Sequence, residues 1–340
     1  MGYLRENRVI TLKNAPGIIS SSGVVGKTEG EGPLSDYFDY CFPDDGMGQE
    51  TWEKAESHMM KTAVEKAVEK SGLSVAEIKM IFAGDLMNQC TATTYALRDS
   101  QIPVCGLFGA CSTMALSLAL AAVYADGNTR SNIMAAACSH FCSAEKQFRY
   151  PLEYGGQRAP AAQRTVTGAG AFVIGEKTKN CVAIPRVLIG KIRDAGISDT
   201  SNMGAAMAPA AAESIGDFLA DTNTLPSDYD MILTGDLGKV GSALLRDLLI
   251  SEYNYDISQV HNDCGLLIYD MEKQDVHSGG SGCGCSASVL STYIMSKMKE
   301  GLLKKVLFAG TGALMSPLIS LQGESIPAIT HIVELNSEEE

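Results

Sequence analysis

The chain has 340 residues, of which 45% are hydrophobic and 34 are glycine, and its 27 Lys and Arg against 40 Asp and Glu give a net charge of −13. This length permits a large buried core in one large or two medium domains. The acidic balance disfavours general binding to nucleic acids or anionic membranes. The composition therefore indicates a compact α/β protein in which an anionic ligand would need a locally positive or N–H-rich pocket.

The ten cysteines are scattered along the chain and form no C-x-x-C pair. Because no secretory signal is evident either, reduced thiols in a cytosolic compartment are expected rather than disulfides or a zinc site. No run of about 18 apolar residues is evident, and the longest candidate, Met114–Ala125, predicts a helix buried on all sides. The sequence thus predicts no transmembrane segment.

Hydrophobic periodicity and turn residues predict alternating strands and helices. The clearest helix is Gln49–Ser71, which Gly72 terminates. Gly23–Gly32 is predicted to be a loop, and Cys264–Tyr269 a strand. Other strands are predicted at Val9–Leu12, Gly17–Ser20, Ile78–Ala83, Val104–Phe108, Asn132–Ala137, Gly170–Gly175, Val182–Gly190, Asp230–Thr234, Val306–Ala309 and Ala328–Val333. Other helices are predicted at Thr91–Ser100, 203–221, Val240–Ile250 and Cys285–Lys299.

Two pairs of segments repeat in the same order along the chain. Ile78–Leu86 aligns with Tyr229–Leu237, and both segments end in Gly-Asp-Leu. Cys111 aligns with Cys285, and each cysteine opens a predicted helix that ends at a glycine 16 residues later, 127 − 111 and 301 − 285. Two strand-to-helix units in one order imply a duplicated α/β domain with a pseudo-twofold axis.

The two halves are expected at 1–190 and 191–340, and the first contains a long polar insertion at 139–164. Guanidinium or ammonium groups bind an anionic ligand, and an aromatic or apolar wall completes such a pocket. The insertion supplies these side chains, although a solvated loop would also be rich in them. They are Lys146, Arg149, Tyr150, Tyr154, Arg158 and Arg164.

The stretch Gly106–Met114 places Cys111 between a predicted strand and an apolar helix, directly after the small residues Gly109 and Ala110. Small side chains allow a sharp turn and close backbone approach. The first N–H groups of the helix have no partner within the helix, so they would stabilise a thiolate or hold an anionic ligand. The alternative is a buried structural cysteine.

The motif Gly-Ala-Cys-Ser-Thr-Met at 109–114, set in a duplicated α/β pattern, resembles the nucleophile motif of the thiolase superfamily, which includes thiolases and β-ketoacyl-acyl-carrier-protein synthases. Segments spread over roughly residues 30–330 resemble, more closely, the stage V sporulation protein AD family of spore-forming bacteria. These segments are Ala83–Leu86, Phe108–Thr113, Gln147–Pro151, Glu153–Gln157, Ala206–Ala212, Asp263–Tyr269 and Gly279–Cys283.

The resemblance implies a thiolase-like duplicated fold, with two α-β-α-β-α halves in five layers. It implies binding of pyridine-2,6-dicarboxylate (dipicolinic acid), together with calcium, and a role in its uptake into the developing spore. The implied partners are other proteins of the same stage V sporulation operon at the inner spore membrane. A cytoplasmic location, or a peripheral one at that membrane, is therefore expected, and thiolase relatives suggest a homodimer by analogy.

A working thiolase or synthase needs further groups beside the nucleophile. In the synthases that this chain resembles, one histidine follows the strand that ends here at Thr234, where the sequence instead reads Gly-Asp at 235–236. The second group belongs to the turn Gly282–Cys285, which offers Cys283 but no His or Asn. The sequence therefore favours a binding pocket over catalysis, and acyl transfer from acyl-CoA or acyl-carrier protein to Cys111 is the alternative.

The candidate ligand-binding residues combine the cysteine turn, the strand ends and the insertion. Asp85 and Asp236 hold equivalent strand-end positions, where α/β folds place ligand-binding groups or where a carboxylate caps the next turn; the pocket role is expected for Asp85. No catalytic residue and no dedicated metal loop is predicted, so calcium would arrive with the ligand and share carboxylates such as Asp85 or Glu153. The candidate set is Asp85, Cys111, Ser112, His140, Arg149, Tyr150, His261 and Cys283.

Overall fold

The computed structural model describes residues 7–128, 131–148, 158–179 and 181–337. The strands of these residues are β1 (Val9–Thr11), β2 (Gly17–Val25), β3 (Tyr40–Cys41), β4 (Ile78–Gly84), β5 (Val104–Gly106), β6 (Asn132–Ser139), β7 (Arg164–Thr165), β8 (Gly168–Gly175), β9 (Val182–Ala183), β10 (Arg186–Leu188), β11 (Met231–Thr234), β12 (His261–Asp263), β13 (Gly280–Ser281), β14 (Lys305–Ala313) and β15 (Ala328–Asn336).

The α-helices are α1 (Lys27–Gly30), α2 (Trp52–Ser71), α3 (Thr91–Leu97), α4 (Thr113–Gly127), α5 (Phe141–Phe148), α6 (Met203–Thr222), α7 (Gly238–Tyr253), α8 (Cys264–Leu267), α9 (Cys283–Val289), α10 (Met295–Lys299) and α11 (Pro317–Ser320). A π-helical stretch, Leu290–Ile294, joins α9 to α10. Residues 283–299 therefore form one continuous helix.

Local sequence signals explain the bounds of α2, the helix predicted most clearly. The side chain of Thr51 accepts a hydrogen bond from the Lys54 N–H group at the N-terminus, as an N-cap does. Gly72 ends the helix in the left-handed conformation, with φ +72°, which a glycine adopts without a Cβ penalty. The buried face carries small and apolar side chains at helical spacing, among them Ala55, Met59 and Ala63. The prediction of this helix is confirmed.

The strands form two half-sheets with the same pairing pattern. In the first the order is β2-β8-β6-β4-β5, and in the second it is β10-β15-β14-β11-β12. In both half-sheets the first two pairings are antiparallel and the last two are parallel. The strands β4 and β11 are the two segments that repeat in the sequence, and they occupy equivalent places. The predicted duplication is confirmed.

Three hydrophobic clusters separate five layers. One cluster lies between the first half-sheet and the outer helices α2 and α3, and another lies between the second half-sheet and α6 and α7. The third surrounds the two central helices, α4 and α9–α10, which pack between the half-sheets and against each other. The two repeated cysteines, Cys111 and Cys285, stand at the beginning of these central helices. The five-layered thiolase-like α/β architecture is the one expected from the sequence.

Three local predictions are wrong. The single strand predicted at Val182–Gly190 is two short strands, β9 and β10. Within Gly23–Gly32, strand β2 continues to Val25 because Val24 and Val25 are fully buried and pair with β8, and α1 follows. The predicted strand Cys264–Tyr269 is the helix α8, preceded by the short strand β12. A short apolar run has no periodicity that separates a buried strand from a buried helix.

The sequence predicts that no segment is long and apolar enough to cross a membrane. Among the described residues one stretch, Ala110–Gly127, meets that criterion by length and composition, with a mean hydropathy of 1.3 over 18 residues. However, 67% of this stretch is buried inside the protein, where α4 lies between the two half-sheets. The apolar sequence is therefore accounted for by burial in the core, as predicted for Met114–Ala125.

All ten cysteines are free thiols. The predicted boundary at residue 190 divides the chain just after β10, and β10 pairs with β15 and with β1. Strands from the first 190 residues thus complete the second half-sheet, and the division into 1–190 and 191–340 stays a prediction.

Candidate functional site

Cys111 lies in a tight turn between β5 and α4. The turn contains a 3₁₀ segment, Ala110–Ser112, in which Ala110 has a φ of +50°, a left-handed conformation that is unfavourable for a residue with a Cβ. Two hydroxyl groups hold the turn: Ser112 Oγ donates to Gly109 O (2.6 Å), and Thr113 Oγ1 donates to Ala110 O (2.7 Å). The strained backbone therefore fixes Cys111 at the start of the first central helix.

Ser281 and Asp236 face Cys111 from the second half of the protein. The Sγ atom of Cys111 lies 3.8 Å from Ser281 Oγ. Asp236 Oδ2 accepts hydrogen bonds from Ser281 Oγ (3.3 Å) and from the Gly282 N–H group (2.7 Å). Sequence reasoning leaves Asp236 out of the candidate set. The signal that could have included it is its position, directly after the strand where the resembling synthases carry a histidine.

The charge of Asp236 opposes activation of the thiol. Burial raises the pKa of Asp236 to about 7, and the neighbouring carboxyl of Asp263 contributes to the increase. Burial also raises the pKa of Cys111 well above its ordinary value, and the negative charge of Asp236 adds to that effect. A nucleophilic cysteine is activated by a nearby cation or base, which stabilises or generates the thiolate. The Cys111 site has a carboxyl instead, so the thiol stays protonated at neutral pH.

Cys111 and Ser281 line a small cavity with a volume of about 50 Å³. A cavity of this size holds a few water molecules. Among its described lining residues there is no lysine, arginine or histidine, and Glu145 is the charged one. The lining consists of Leu86, Phe108, Ala110, Cys111, Ala144, Glu145, Phe148, Thr165, Met203, Ser281, Ala313 and Met315. The cavity is mostly apolar, with thiol and hydroxyl groups on its walls.

Asp85 and Ser112, two predicted site residues, bond to the backbone near them. Asp85 Oδ1 accepts from the Met87 N–H group, and Oδ2 accepts from the N–H and hydroxyl groups of Thr93, at 2.7–2.8 Å. Asp85 therefore caps the turn after β4, the alternative role considered for it. Neither residue is part of the described cavity lining.

The two histidines predicted to approach the pocket are engaged elsewhere. His140 Nε2 donates to the carbonyl oxygen of Asp45 (2.8 Å), and its ring stacks on Trp52. His261 Nε2 forms a hydrogen bond with Thr234 Oγ1 (3.0 Å), and burial lowers the pKa of His261 to about 4. Neither side chain belongs to the described lining of the Cys111 cavity.

Cys283 is close to Cys111 in the core, but its thiol donates to the carbonyl oxygen of Cys138 (2.9 Å). Arg149 and Tyr150 fall outside the described residues. The structure thus brings Cys111 together with Ser281 and Asp236, and it leaves most of the predicted set bonded to other partners. As ligand-binding residues, the members of that set stay predictions.

Comparison with known proteins assigns the chain to a family. The family model for stage V sporulation protein AD matches residues 6–336. The chain belongs to this family. Stage V sporulation protein AD of Bacillus subtilis (strain 168) is 44% identical over 317 residues, which cover 93% of each protein. The family suggested by the sequence motifs is confirmed.

Solved structures with little sequence identity share the fold. The 3-oxoacyl-[acyl-carrier-protein] synthase III from Aquifex aeolicus is 12% identical, with a TM-score of 0.57 and coverage of 94% of this chain and 99% of that one. A variant of OleA from Xanthomonas campestris is 11% identical, with a TM-score of 0.60 and coverage of 96% and 99%. At these identities the likeness shows the thiolase-like fold alone.

Proposed function

We propose that this protein is a non-catalytic member of the thiolase-like fold that binds pyridine-2,6-dicarboxylate and supports its uptake into the developing spore. The proposal depends on one observation. The chain has a cavity beside Cys111, but the Cys111 thiol faces a buried carboxyl group instead of a histidine. A pocket of this kind retains a ligand site in the fold and lacks the groups that a Claisen or acyl-transfer reaction uses. The ligand and the uptake role come from the family resemblance.

The described walls suit the ring of such a ligand. Phe108 and Phe148 supply aromatic surface, and Met203 and Met315 supply flexible apolar surface. Ligand pockets generally begin at roughly 300 Å³, well above the volume of this cavity. Because Phe108 is 52% exposed at the cavity, outward rotation of its side chain is the simplest way to admit a ring.

The carboxylates of the ligand need positively charged partners. The insertion contains arginines with side-chain N–H groups that have no hydrogen-bond partner among the described residues. Arg158 Nη1 and Arg164 Nε are buried, and neither has a hydrogen-bond partner among the described residues. Arg164 stacks its guanidinium over the ring of Phe141, 3.9 Å from the centroid, directly before the cavity residue Thr165. Guanidinium groups with a buried N–H group that has no partner among the described residues support carboxylate recognition. Arg149 belongs to the same insertion.

Calcium is part of the proposal only as an ion that binds together with the ligand. Within the described ranges no group of three or more His, Cys, Asp or Glu side chains could hold a metal ion. Calcium prefers six to eight oxygen ligands, which a single carboxylate such as Asp85, already bonded to three donors, does not supply. The described residues therefore do not fit a preformed calcium site.

The proposed partners are the other stage V sporulation operon proteins at the inner spore membrane, which would place this protein in the cytoplasm or at the surface of that membrane. A homodimer is also proposed. Strand β5 lies at one edge of the sheet, and the exposed side chains Tyr95, Val104 and Tyr124 lie on it or on the helices before and after it. An unpaired strand edge beside exposed apolar side chains supports a protein contact there.

Calorimetric titration with pyridine-2,6-dicarboxylate tests the function directly. We expect saturable binding, with and without calcium, and a loss of at least about tenfold in affinity for both Cys111→Ala and Arg149→Ala, since one removes a cavity wall and the other a carboxylate partner. Lys304→Ala, an exposed residue that is not part of the described cavity lining, is the control and should bind like the wild type. Absence of binding at millimolar ligand, or unchanged binding by both variants, would contradict the proposal.

The alternative function, acyl transfer through Cys111, makes a different prediction. After incubation with acetyl-CoA or a longer acyl-CoA, we expect no acyl adduct on Cys111 by peptide mass spectrometry, because the raised pKa of Cys111 leaves little thiolate at neutral pH. Loss of one transition-state donor typically costs about 3–4 kcal/mol, so the missing histidine reinforces this expectation. An adduct absent from Cys111→Ser but present on the wild type would favour the enzyme.

A further inference from the structure

A second, polar cavity adjoins the Cys111 cavity. It is lined by Gln163, Thr165, Thr200, Ser201, Met203 and Ser281, and its volume is about 20 Å³. Thr165, Met203 and Ser281 line both cavities, so the two lie next to each other. Ser281 therefore belongs to the walls of both the apolar and the polar cavity, and Asp236 accepts a hydrogen bond from its hydroxyl group.

Two buried acceptors in this part of the site lack a donor. Gln163 is 7% exposed, and its Nε2 group donates to Asp236 O and Gly280 O, both at 2.7 Å, which leaves Oε1 without a partner among the described residues. Asp236 is fully buried, and its Oδ1 atom has no hydrogen-bond partner in the same part of the chain. Buried acceptors are normally satisfied by protein, water or ligand. These two buried oxygen atoms therefore lack hydrogen-bond donors, and a bound carboxylate would add further acceptors.

Acidic groups near Asp236 and near the two cavities add negative charge. Asp263 lies behind it, Glu145 lines the apolar cavity, and Asp199 accepts hydrogen bonds from the N–H and hydroxyl groups of Ser201. No lysine, arginine or histidine lines either cavity in the part of the chain that the structure describes. The other titratable neighbours are thiols, which burial keeps neutral. These are Cys111, Cys264, Cys283 and Cys285.

We propose that Asp236 determines the charge that this site accepts: a ligand carboxylate binds beside Cys111 only when the Asp236 carboxyl carries a proton, which is taken up from solvent wherever Asp236 is ionised before binding. No covalent bond of the ligand changes; the one bond formed is O–H on the Asp236 carboxyl. The proposal rests on the proposed function, since it concerns the same site and its dicarboxylate ligand. The protonated carboxyl removes one negative charge and supplies the donor that the site lacks.

The pH dependence of binding follows from the position of Asp236. Its pKa is raised to about 7, so Asp236 is largely protonated below that pH and largely ionised above it. Near pH 6 the proton is already present, and binding needs little uptake. Near pH 8.5 binding must take up about one proton, so the affinity falls by up to about tenfold for each pH unit above about 7.

Titration calorimetry in buffers of different ionisation enthalpy measures this uptake. For pyridine-2,6-dicarboxylate we expect about one proton per ligand near pH 8.5 and close to none near pH 6. Asp236→Asn, which keeps the shape of the side chain and cannot ionise, should bind with no uptake at either pH. Asp247→Asn, an exposed residue on α7, is the matched control and should behave like the wild type. Binding by the wild type without proton uptake would overturn the inference and leave the proposed function standing.

A second measurement does not depend on the dicarboxylate. Iodoacetate and iodoacetamide both alkylate a thiol by displacing iodide, and they differ in that the first carries a carboxylate. Near pH 8.5 we expect Asp236→Asn to raise the ratio of iodoacetate to iodoacetamide rates at Cys111 by about tenfold, because the reagent no longer meets the negative charge of Asp236. An unchanged ratio would overturn the inference. A raised ratio with no dicarboxylate binding would support it and count against the proposed function.

Discussion

Replacing Glu56 by glutamine is expected to remove a large part of the pH dependence of stability. Glu56 is fully buried on α2, where Ser143 Oγ donates to one carboxyl oxygen and the Cys138 thiol contacts the other at 3.7 Å. Burial raises the pKa of Glu56 from 4.5 to about 8, and the nearby charge of Asp85 adds to the shift. A buried carboxyl of this kind stays protonated in the folded protein at neutral pH.

The direction in which the unfolding free energy changes with pH follows from proton linkage. The folded protein keeps the Glu56 proton up to about pH 8, whereas the unfolded chain releases it near 4.5. The stabilising contribution is therefore complete below about pH 4.5 and is lost as the pH rises toward 8. Between about pH 5 and pH 8.5 the wild type should lose about 4 kcal/mol more of its unfolding free energy than Glu56→Gln does.

Urea unfolding at a series of pH values tests this difference. Glu65→Gln, an exposed glutamate on the same helix that pairs with Lys61, is the matched control and should follow the wild-type pH curve. Asp236 and Asp263 also have raised pKa values and are unchanged in both variants, so a smaller slope should remain in Glu56→Gln. Parallel curves for wild type and Glu56→Gln would show that Glu56 is ionised in the folded protein.

The architecture can be predicted because it rests on features repeated in the sequence. One strand and one central helix occur twice in the same order, as β4 with α4 and as β11 with α9–α10, so one error in bounds does not disturb the overall pattern. Bounds are predicted poorly where local signals conflict: glycines within Gly23–Gly32 suggest a loop, whereas pairing with β8 keeps β2 extended to Val25. Tertiary contacts outweigh local preference at such positions.

The site is harder to predict than the fold, because several polar residues near strand ends are equally suited to capping and to ligand binding. Asp85 and Asp236 follow equivalent strands in Gly-Asp-Leu sequences. Asp85 satisfies the backbone of its own turn, whereas Asp236 bonds to Ser281 and Gly282, more than 40 residues away in sequence. Asp85 and Asp236 are distinguished only by the tertiary structure, which places Asp236 with Ser281 beside Cys111. A sequence repeat gives no information on such a difference between its two copies.

Replacement of Gly170 by alanine is expected to destabilise the protein by about 3 kcal/mol or more. Gly170 lies on β8, where the backbone of the second central helix packs directly against the strand. A Cβ atom at this position would lie 2.1 Å from the carbonyl oxygen of Ala287 and 2.4 Å from its carbonyl carbon. Strand β8 is paired with β2 on one side and β6 on the other, so it cannot move aside. Overpacking typically costs about 1–3 kcal/mol and occasionally more, and two backbones that are both held in place put this site at the upper end of that range.

Gly127→Ala provides the control for this measurement. Gly127 ends α4, and a Cβ atom there would have no neighbour within 4 Å. Its unfolding free energy in urea should stay within about 0.5 kcal/mol of the wild type. A loss below about 1 kcal/mol for Gly170→Ala would show that the helix can move away from β8 at little cost.

The same substitution should also affect the ligand site. The helix that packs on Gly170 begins at Cys283, directly after Gly282, whose N–H group bonds to Asp236. If added volume at Gly170 shifts this helix, Asp236 loses its fixed position behind Ser281. We therefore expect Gly170→Ala, where it folds, to bind pyridine-2,6-dicarboxylate more weakly than Gly127→Ala. Close packing of β8 on the second central helix would then connect the stability of the core with the geometry of the Cys111 site.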